Sequence, residues 1–186
     1  MTVSRKSRQK SKISLLLSVI LTIAVIFTGC DNSGSSDSSG TSGTGELEYM
    51  GKTTSLTQLA FDKLGPVGSA YNTDIHIYTD GIDVNNESGS GMIIYLETFF
   101  STSEVTEGTY NWTNDTTPGP NTFSAESEII TVVNGSSLPP DPITAGSLFT
   151  ISIDGSIYTI NGTLQTADNG PAVFSYTGPV NVFFEE

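Results

Sequence analysis

Alternation of apolar and polar residues constrains the fold of this chain more than any other feature. It is clearest over residues 148–153 and 156–164, which are separated by Asp154-Gly155. A repeat of two places successive side chains on opposite faces of a β-strand, and Asp-Gly supplies the positive φ angles of a two-residue hairpin turn. The pattern therefore predicts two antiparallel strands joined by a tight turn at Asp154-Gly155.

The apolar faces of this hairpin are expected to meet in the core. The side chains that share these faces are Phe149, Ile151, Ile153, Tyr158, Ile160 and Leu164. Gly162 falls in the same set, which predicts either a β-bulge or the close approach of another backbone. A turn at Asp168-Asn169-Gly170 then leads into a third strand over residues 172–177.

The chain from residue 46 onward keeps this β character. Short runs rich in Thr, Ile, Val, Tyr and Phe alternate with Gly, Asn, Asp and Pro, and only residues 55–64 hint at a helical period. Further strands are predicted at residues 48–52, 54–64, 71–79, 92–100, 108–112, 123–133 and 180–184. We therefore expect an antiparallel β-sandwich of about eight to ten strands, with an up-and-down β-barrel as the alternative.

The first 29 residues have the layout of an export signal. Five basic residues within positions 5–12 precede an apolar run over residues 13–27, which ends at Gly29-Cys30. Fifteen helical residues rise about 22 Å, less than the roughly 30 Å of bilayer hydrocarbon, so a cleaved signal is favoured over a transmembrane anchor.

This segment resembles the signal peptide of bacterial lipoproteins, in which a small residue precedes an obligatory Cys. The resemblance implies that Cys30 becomes the first residue of the mature protein, acylated with palmitate-type chains. Phe27 and Thr28 depart from the Leu and the Ala or Ser usual in that motif. The implied location is the cell envelope, with the protein lipid-anchored to the outer membrane and its periplasmic or surface side left open.

Residues 30–45 are expected to be a flexible tether to a folded domain over residues 46–186. Residues 31–45 contain only Ser, Gly, Thr, Asp and Asn, so no apolar burial offsets the entropy of ordering them. Random-coil scaling gives such a segment a reach of about 20 to 25 Å. Cys30 is the only Cys, so an internal disulfide is excluded.

Charge limits the partners of the mature chain. From residue 30 onward two basic residues, Lys52 and Lys63, face twenty acidic ones, a balance of 2 − 20 = −18. So few cations cannot neutralise the phosphates of nucleic acid or anionic lipid headgroups. The expected partners are the membrane, through the N-terminal lipid, and a glycan or an envelope protein.

Two groups of motifs resemble uncharacterised all-β lipoproteins of the Bacteroidetes type. They are EGTY at residues 107–110, and GxxYxIxGTL followed by SYTGP within residues 155–179. These motifs consist mainly of turn glycines and core aromatics. The resemblance therefore implies a fold and brings no catalytic residues with it.

Two groups of residues contain side chains suited to catalysis. His76, the only histidine, shares a strand face with Asp74 and Tyr78, but no Gly-x-Ser-x-Gly motif accompanies it. We expect a solvent-facing His76, with ligand contact or catalysis as alternatives. Glu126 and Glu128 lie about 7 Å apart on one strand face, a separation that suits glycoside hydrolysis, but a solvated polar face is favoured.

Two stretches are candidates for ligand binding. Asp80, Asp83, Asn85 and Glu87 supply oxygens that suit calcium, although their spacing does not match an EF-hand and an ordinary turn is the alternative; no other cofactor is expected. Tyr110 and Trp112 share a strand face, beside a loop rich in Pro, Asn and Asp. Their rings suit stacking on a sugar, and burial in the core is the alternative.

The function predicted from these features is that of a lipid-anchored, non-enzymatic binding or interaction module of the cell envelope. The same residues are also compatible with two alternatives, a glycan-binding module and a secreted hydrolase. A purely structural surface protein is the third. The absence of a recognisable set of nucleophile, base and metal ligands in the sequence disfavours the hydrolase.

Overall fold

The computed structural model describes residues 42–83 and 88–185, without the side chains of residues 182–185. This part of the chain is all β, as the sequence predicts, and none of it forms a helix that is long and apolar enough to cross a bilayer. The strands are β1 (Thr44–Tyr49), β2 (Lys52–Ser55), β3 (Gln58–Val67), β4 (Ala70–Tyr78), β5 (Ile82–Asp83), β6 (Ser88–Gly89), β7 (Gly91–Phe100), β8 (Gly108–Thr113), β9 (Thr122–Ser124), β10 (Glu128–Val133), β11 (Ser136–Ser137), β12 (Asp141–Asp154), β13 (Ile157–Thr166), β14 (Gly170–Gly178) and β15 (Val182–Glu185).

Thirteen of these strands form one sheet, and β5 with β6 forms a separate hairpin. The sheet runs in the order β15-β3-β4-β7-β9-β8-β12-β13-β14-β1-β2, while β10 pairs with both β7 and β12. Neighbours are antiparallel except for β8 with β9 and β15 with β3, which are parallel.

The sheet closes on itself because β2 and β3 are almost one strand. Only Leu56 and Thr57 separate them, and β2 pairs with β1 while β3 pairs with β4. The Gly43 N–H donates to the Thr57 carbonyl and the Leu56 N–H donates to the Gly45 carbonyl, and the donor–acceptor distance is 2.9 Å in both. The result is a barrel-like arrangement, the alternative to a sandwich that the sequence left open.

The β12–β13 hairpin confirms the central prediction and corrects its turn. Ile151 pairs with Ile160, and Asp154 pairs with Ile157. The two turn residues are therefore Gly155 and Ser156, one position later than expected. Only Gly155 has a positive φ, +60°, which fits the first central position of a type II′ turn rather than type I′.

The barrel interior holds one large apolar cluster to which both halves of the chain contribute. Phe149, Ile160 and Leu164 are fully buried there and Ile151 is nearly so. The other two predicted core residues, Ile153 and Tyr158, are only half-buried at its margin.

Gly162 lies where the side chains of Phe174 and Phe149 approach the backbone closely. A Cβ atom at this position would be 2.5 Å from the Phe174 ring and 2.8 Å from the Phe149 Cβ. The pairing of β13 continues without interruption through Gly162, so there is no bulge there and the close approach is made mainly by side chains. The irregularity lies in β12 instead, between Thr144 and Leu148.

Several predicted strand bounds were wrong. Residues 48–52 span the turn between β1 and β2, and residues 54–64 cross from β2 into β3. Residues 123–133 do not form one strand, because the hydroxyl of Ser124 accepts a hydrogen bond from the Glu126 N–H (3.0 Å) and its carbonyl accepts one from Ser127 (3.2 Å). This turn separates β9 from β10. At the other end, β1 already begins at Thr44, so the last two residues assigned to the tether belong to the sheet.

Candidate functional site

Tyr110 is a core residue, and its predicted role in ligand binding is wrong. Its side chain is fully buried, and its ring stacks on that of Phe149 with 5.1 Å between centroids and 14° between planes. Its hydroxyl donates to the Thr106 carbonyl four residues upstream (2.7 Å). This contact pins the loop before β8, as in the tyrosine corner of β-sandwiches.

Trp112 remains accessible in part. It lies near the end of β8, half-buried against the core. Its Nε1–H donates to the Ile143 carbonyl (3.0 Å), so the polar edge of the indole has a partner within the protein. A half-buried ring with a committed N–H offers one apolar surface to a ligand and no hydrogen bond.

The face of β4 and β7 that points away from the core carries a group of polar side chains, here called the acidic face: Asn72, Asp74, His76, Tyr95 and Glu97. Asn72, Asp74 and Glu97 are 5%, 7% and 6% exposed, respectively. This burial could not be predicted from the sequence, because alternating polar residues on a strand normally face water.

His76 does not face solvent as predicted. It is half-buried, and its ring is tilted against that of Tyr95 with 5.2 Å between centroids. Burial lowers the pKa of His76 from 6.5 to about 4, because a charged imidazolium loses its hydration there. The imidazole is therefore neutral at physiological pH.

Hydrogen bonds within the acidic face hold its carboxylates. Asp74 lies directly opposite Glu97, an arrangement of like charges that costs free energy. The Tyr95 hydroxyl donates to Asp74 Oδ2 (2.8 Å), Asn72 Nδ2 donates to Glu97 Oε1 (3.2 Å), and Ser124 Oγ donates to Glu97 Oε2. Burial, together with the charges of Asp74 and Glu97, raises the pKa of the Tyr95 hydroxyl, which stays protonated as a donor.

Glu126 and Glu128 do not form a solvated pair on one strand. Glu126 is exposed in the turn before β10, whereas Glu128 is half-buried at the first position of β10. Burial, with the charge of Glu126 as a smaller cause, raises the pKa of Glu128. Farther along β10, Val132 belongs to a small apolar cluster with Ala60, Tyr78 and Ile82, so this side of the strand is covered rather than solvated.

The predicted calcium loop is described only in part. Asp80 and Asp83 are exposed on either side of Gly81-Ile82, whereas Asn85 and Glu87 lie outside the described residues, as does Cys30. Among residues 42–83 and 88–185, no group of three or more His, Cys, Asp or Glu side chains is arranged to hold a metal ion. Calcium binding by the complete loop stays a prediction.

Asp141 anchors a polar network that the sequence analysis missed. Its carboxylate accepts hydrogen bonds from the Tyr49 hydroxyl (2.6 Å), Asn169 Nδ2 (2.9 Å) and the Asp168 N–H (3.0 Å). Burial alone would raise the pKa of Asp141, but hydrogen bonds from Tyr49, Thr166 and Asn169 outweigh it and hold that pKa below its usual value. The Asp-Asn-Gly turn was the visible signal, but its partners come from distant strands.

A second, exposed polar surface lies on β8, β12, β13, β14, β1 and β2, toward the other end of the strand order from β4 and β7. We call it the polar platform. Cross-strand pairing aligns its outward side chains in two rows of six. The first row is Asn111, Leu148, Thr163, Val173, Glu48 and Thr53, and the second is Thr109, Thr150, Asn161, Ser175, Glu46 and Ser55. Every one of these side chains is exposed.

Two shallow grooves follow the polar platform. One, of about 450 Å³, crosses β12, β13, β14 and β1. The second, of about 430 Å³, continues over β1, β2 and the start of β14 to the turn at Met50-Gly51. Glu48 and Val173 line both grooves, so together they form one continuous depression across the platform.

Comparison with known proteins gave no relative: no family model, no curated protein and no solved structure matches the chain.

Proposed function

We propose that this protein is a non-catalytic binding module, exported and held on the cell envelope by a lipid on Cys30. The basic, apolar and Gly-Cys layout of the first thirty residues supports the anchor. The Ser- and Gly-rich composition of residues 31–45 supports a tether between the lipid and the domain. A domain held in this way has the polar platform available for contact with other envelope components.

One observation carries the proposal that the module is not an enzyme. The only His of the described domain and its most deeply buried carboxylates lie within strands and away from the two grooves. His76 and Glu97 belong to the acidic face, and Asp141 is fixed by its own hydrogen bonds. An active site needs such groups within reach of a substrate. The ionisable side chains that line the accessible grooves are Glu46, Glu48, Tyr49 and Lys52, and the other lining residues are mainly short polar and aliphatic ones.

The anchor is tested by mass spectrometry of the mature N-terminus after expression of the full chain in a bacterium. We expect the first residue to be Cys30, heavier by the mass of its acyl chains, and the protein to fractionate with membranes. Cys30→Ala is the matched control and should leave an unprocessed, unacylated precursor. An unmodified Cys30 in the wild-type protein, or an intact Met1, would contradict the proposal.

A further inference from the structure

The polar platform differs from the rest of this acidic protein in its lack of charge. Of the twelve side chains in its two rows, only Glu46 and Glu48 are charged, and both belong to β1. The part that β8, β12, β13 and β14 contribute carries no charged side chain in either row. Surfaces that bind a partner are commonly depleted of charge at their centre, which makes this region a candidate for contact.

The platform side chains can both donate and accept hydrogen bonds. Hydroxyl groups of Thr and Ser do so through one atom, and the amides of Asn111 and Asn161 do so through two. Glu46 and Glu48, at one end, act as acceptors. Such a set matches a ligand with many hydroxyl groups, each of which is also both donor and acceptor.

Two aliphatic side chains stand among these polar groups. Leu148 is 44% exposed and Val173 is 48% exposed, and both pair with Thr163, which lies between them. Their apolar surface is available to the C–H faces of sugar rings, which alternate with hydroxyl edges along a glycan. The continuous depression spans five strands from β12 to β2, about 19 Å at the usual strand spacing, which suits an oligomer rather than a single ring.

Charge further restricts the class of ligand that the polar platform can bind. The balance of −18 from residue 30 onward repels anionic chains, and neither platform row contains a Lys or Arg. Lys52 lines the β2 end of the second groove, where Glu48 offsets its charge. A second copy of this chain would be equally acidic and would bring Glu46 and Glu48 toward like charges. A neutral, hydroxyl-rich chain avoids both penalties.

We propose that the polar platform binds a neutral glycan chain, whose hydroxyls bond to Thr, Ser and Asn side chains and whose ring faces pack on Leu148 and Val173. This inference rests on the proposed function, since it names the ligand class and the site of the binding module. In this proposal the glycan lies on the outward face of β12, β13, β14 and β1. The first row begins at Asn111 on β8, which is adjacent to Trp112 in sequence.

The test measures binding of maltohexaose, cellohexaose, xylohexaose and mannohexaose to the full-length protein in detergent, with a galacturonate hexamer as the anionic comparison. Val173→Asp puts a charge in the middle of the depression, and Val133→Asp is the matched control, because Val133 is 44% exposed on β10, outside the platform. We expect at least one neutral hexamer to bind, at least tenfold weaker binding by Val173→Asp, and no change with Val133→Asp.

A second variant avoids added charge. Asn161→Ala removes one exposed amide without opening the core, and we expect it to weaken the same hexamer by up to about tenfold, which corresponds to one net hydrogen bond. Circular dichroism melts of all three variants verify that they fold.

Each outcome decides the question. Weaker binding by both platform variants, with binding by Val133→Asp unchanged, supports the proposal. A neutral hexamer that binds all variants equally overturns the platform as the site but leaves the binding module standing. Binding of none of the four neutral hexamers, or equal binding of galacturonate, overturns the ligand class, whereas processing and acylation at Cys30 are measured separately.

Discussion

The two outward faces of this sheet differ in their exposure to solvent. On β4 and β7, the acidic face withdraws carboxylates, an amide and an imidazole from water and links several of them by hydrogen bonds. On β12, β13 and β14, the polar platform leaves Thr, Ser and Asn side chains open to solvent. Both faces lie on strands that alternate in sequence, so alternation identifies the inward side chains but does not show what becomes of the outward ones.

The two faces also differ in their charged side chains, which are buried on the acidic face and scarce on the polar platform. Charged groups that are buried must be compensated by hydrogen bonds, and Asp74 and Glu97 have such partners in Tyr95 and Asn72. The platform avoids that cost by using neutral side chains that remain hydrated. A face of this kind can release water to a ligand without having to break an internal network.

The largest effect is expected where inward and outward sides of a single strand are compared. Phe149→Ala removes a fully buried ring from β12 and should lower the free energy of unfolding by about 3 to 5 kcal/mol. Leu148→Ala, on the platform side of the same strand, should change it by less than about 0.5 kcal/mol. Urea unfolding measures both, and equal losses would contradict the assignment of the two sides.

The acidic face should make stability depend on pH through His76. The folded pKa of about 4 lies below the unfolded value of 6.5, so the unfolded chain binds the proton more readily between these values. Above pH 6.5 the free energy of unfolding does not change with pH through His76. As the pH falls from 6.5 to about 4, protonation of His76 in the unfolded chain lowers the free energy of unfolding by about 3 kcal/mol.

The variant His76→Gln isolates this contribution. Glu128, whose raised pKa acts in the opposite direction, is present in both proteins and cancels in the difference between them. Urea unfolding at a series of pH values should therefore show wild type losing stability relative to His76→Gln between pH 6.5 and 4. Parallel curves would show that His76 is hydrated and that the acidic face is open.

The Asp141 network should respond to acid at lower pH. Asp141→Asn weakens hydrogen bonds to a charged acceptor and should cost about 1.5 to 3 kcal/mol at pH 7. Because the folded pKa is lowered, this stability is present above the unfolded value of 3.8 and is lost as pH falls through the folded pKa. Thermal melts of both proteins should therefore converge in strong acid, and a constant gap would contradict the role assigned to the charge.

A smaller effect is expected at the border of the platform. Trp112→Phe keeps an aromatic ring but removes the N–H donor to the Ile143 carbonyl, and should cost about 1 kcal/mol. Chemical denaturation followed by circular dichroism measures this, because the variant has lost the only Trp of the chain. A loss above about 3 kcal/mol would mean that the indole is a full core residue.

How much the sequence could predict depended on the range of the interactions. The β12–β13 pairing followed from local alternation and a Gly turn, and only the turn position was displaced by one residue. Closure of the sheet through Leu56-Thr57 depends on partners far apart in the chain, and so does the burial of His76. Tyr110 was ambiguous because a ring on a strand face suits both a core and a binding site, and only the Thr106 and Phe149 contacts decide between them.

The contrast between the two outward faces can be measured directly by cysteine labelling. Ala60→Cys and Ser175→Cys are both small substitutions at outward positions; Ala60 pairs with His76 of the acidic face and is fully buried, while Ser175 is exposed at the centre of the platform. The folded full-length variants are treated with iodoacetamide, and peptide mass spectrometry follows each site separately from Cys30. We predict that the thiol at position 175 reacts at least 100-fold faster than the one at position 60, and similar rates at the two sites would contradict the account.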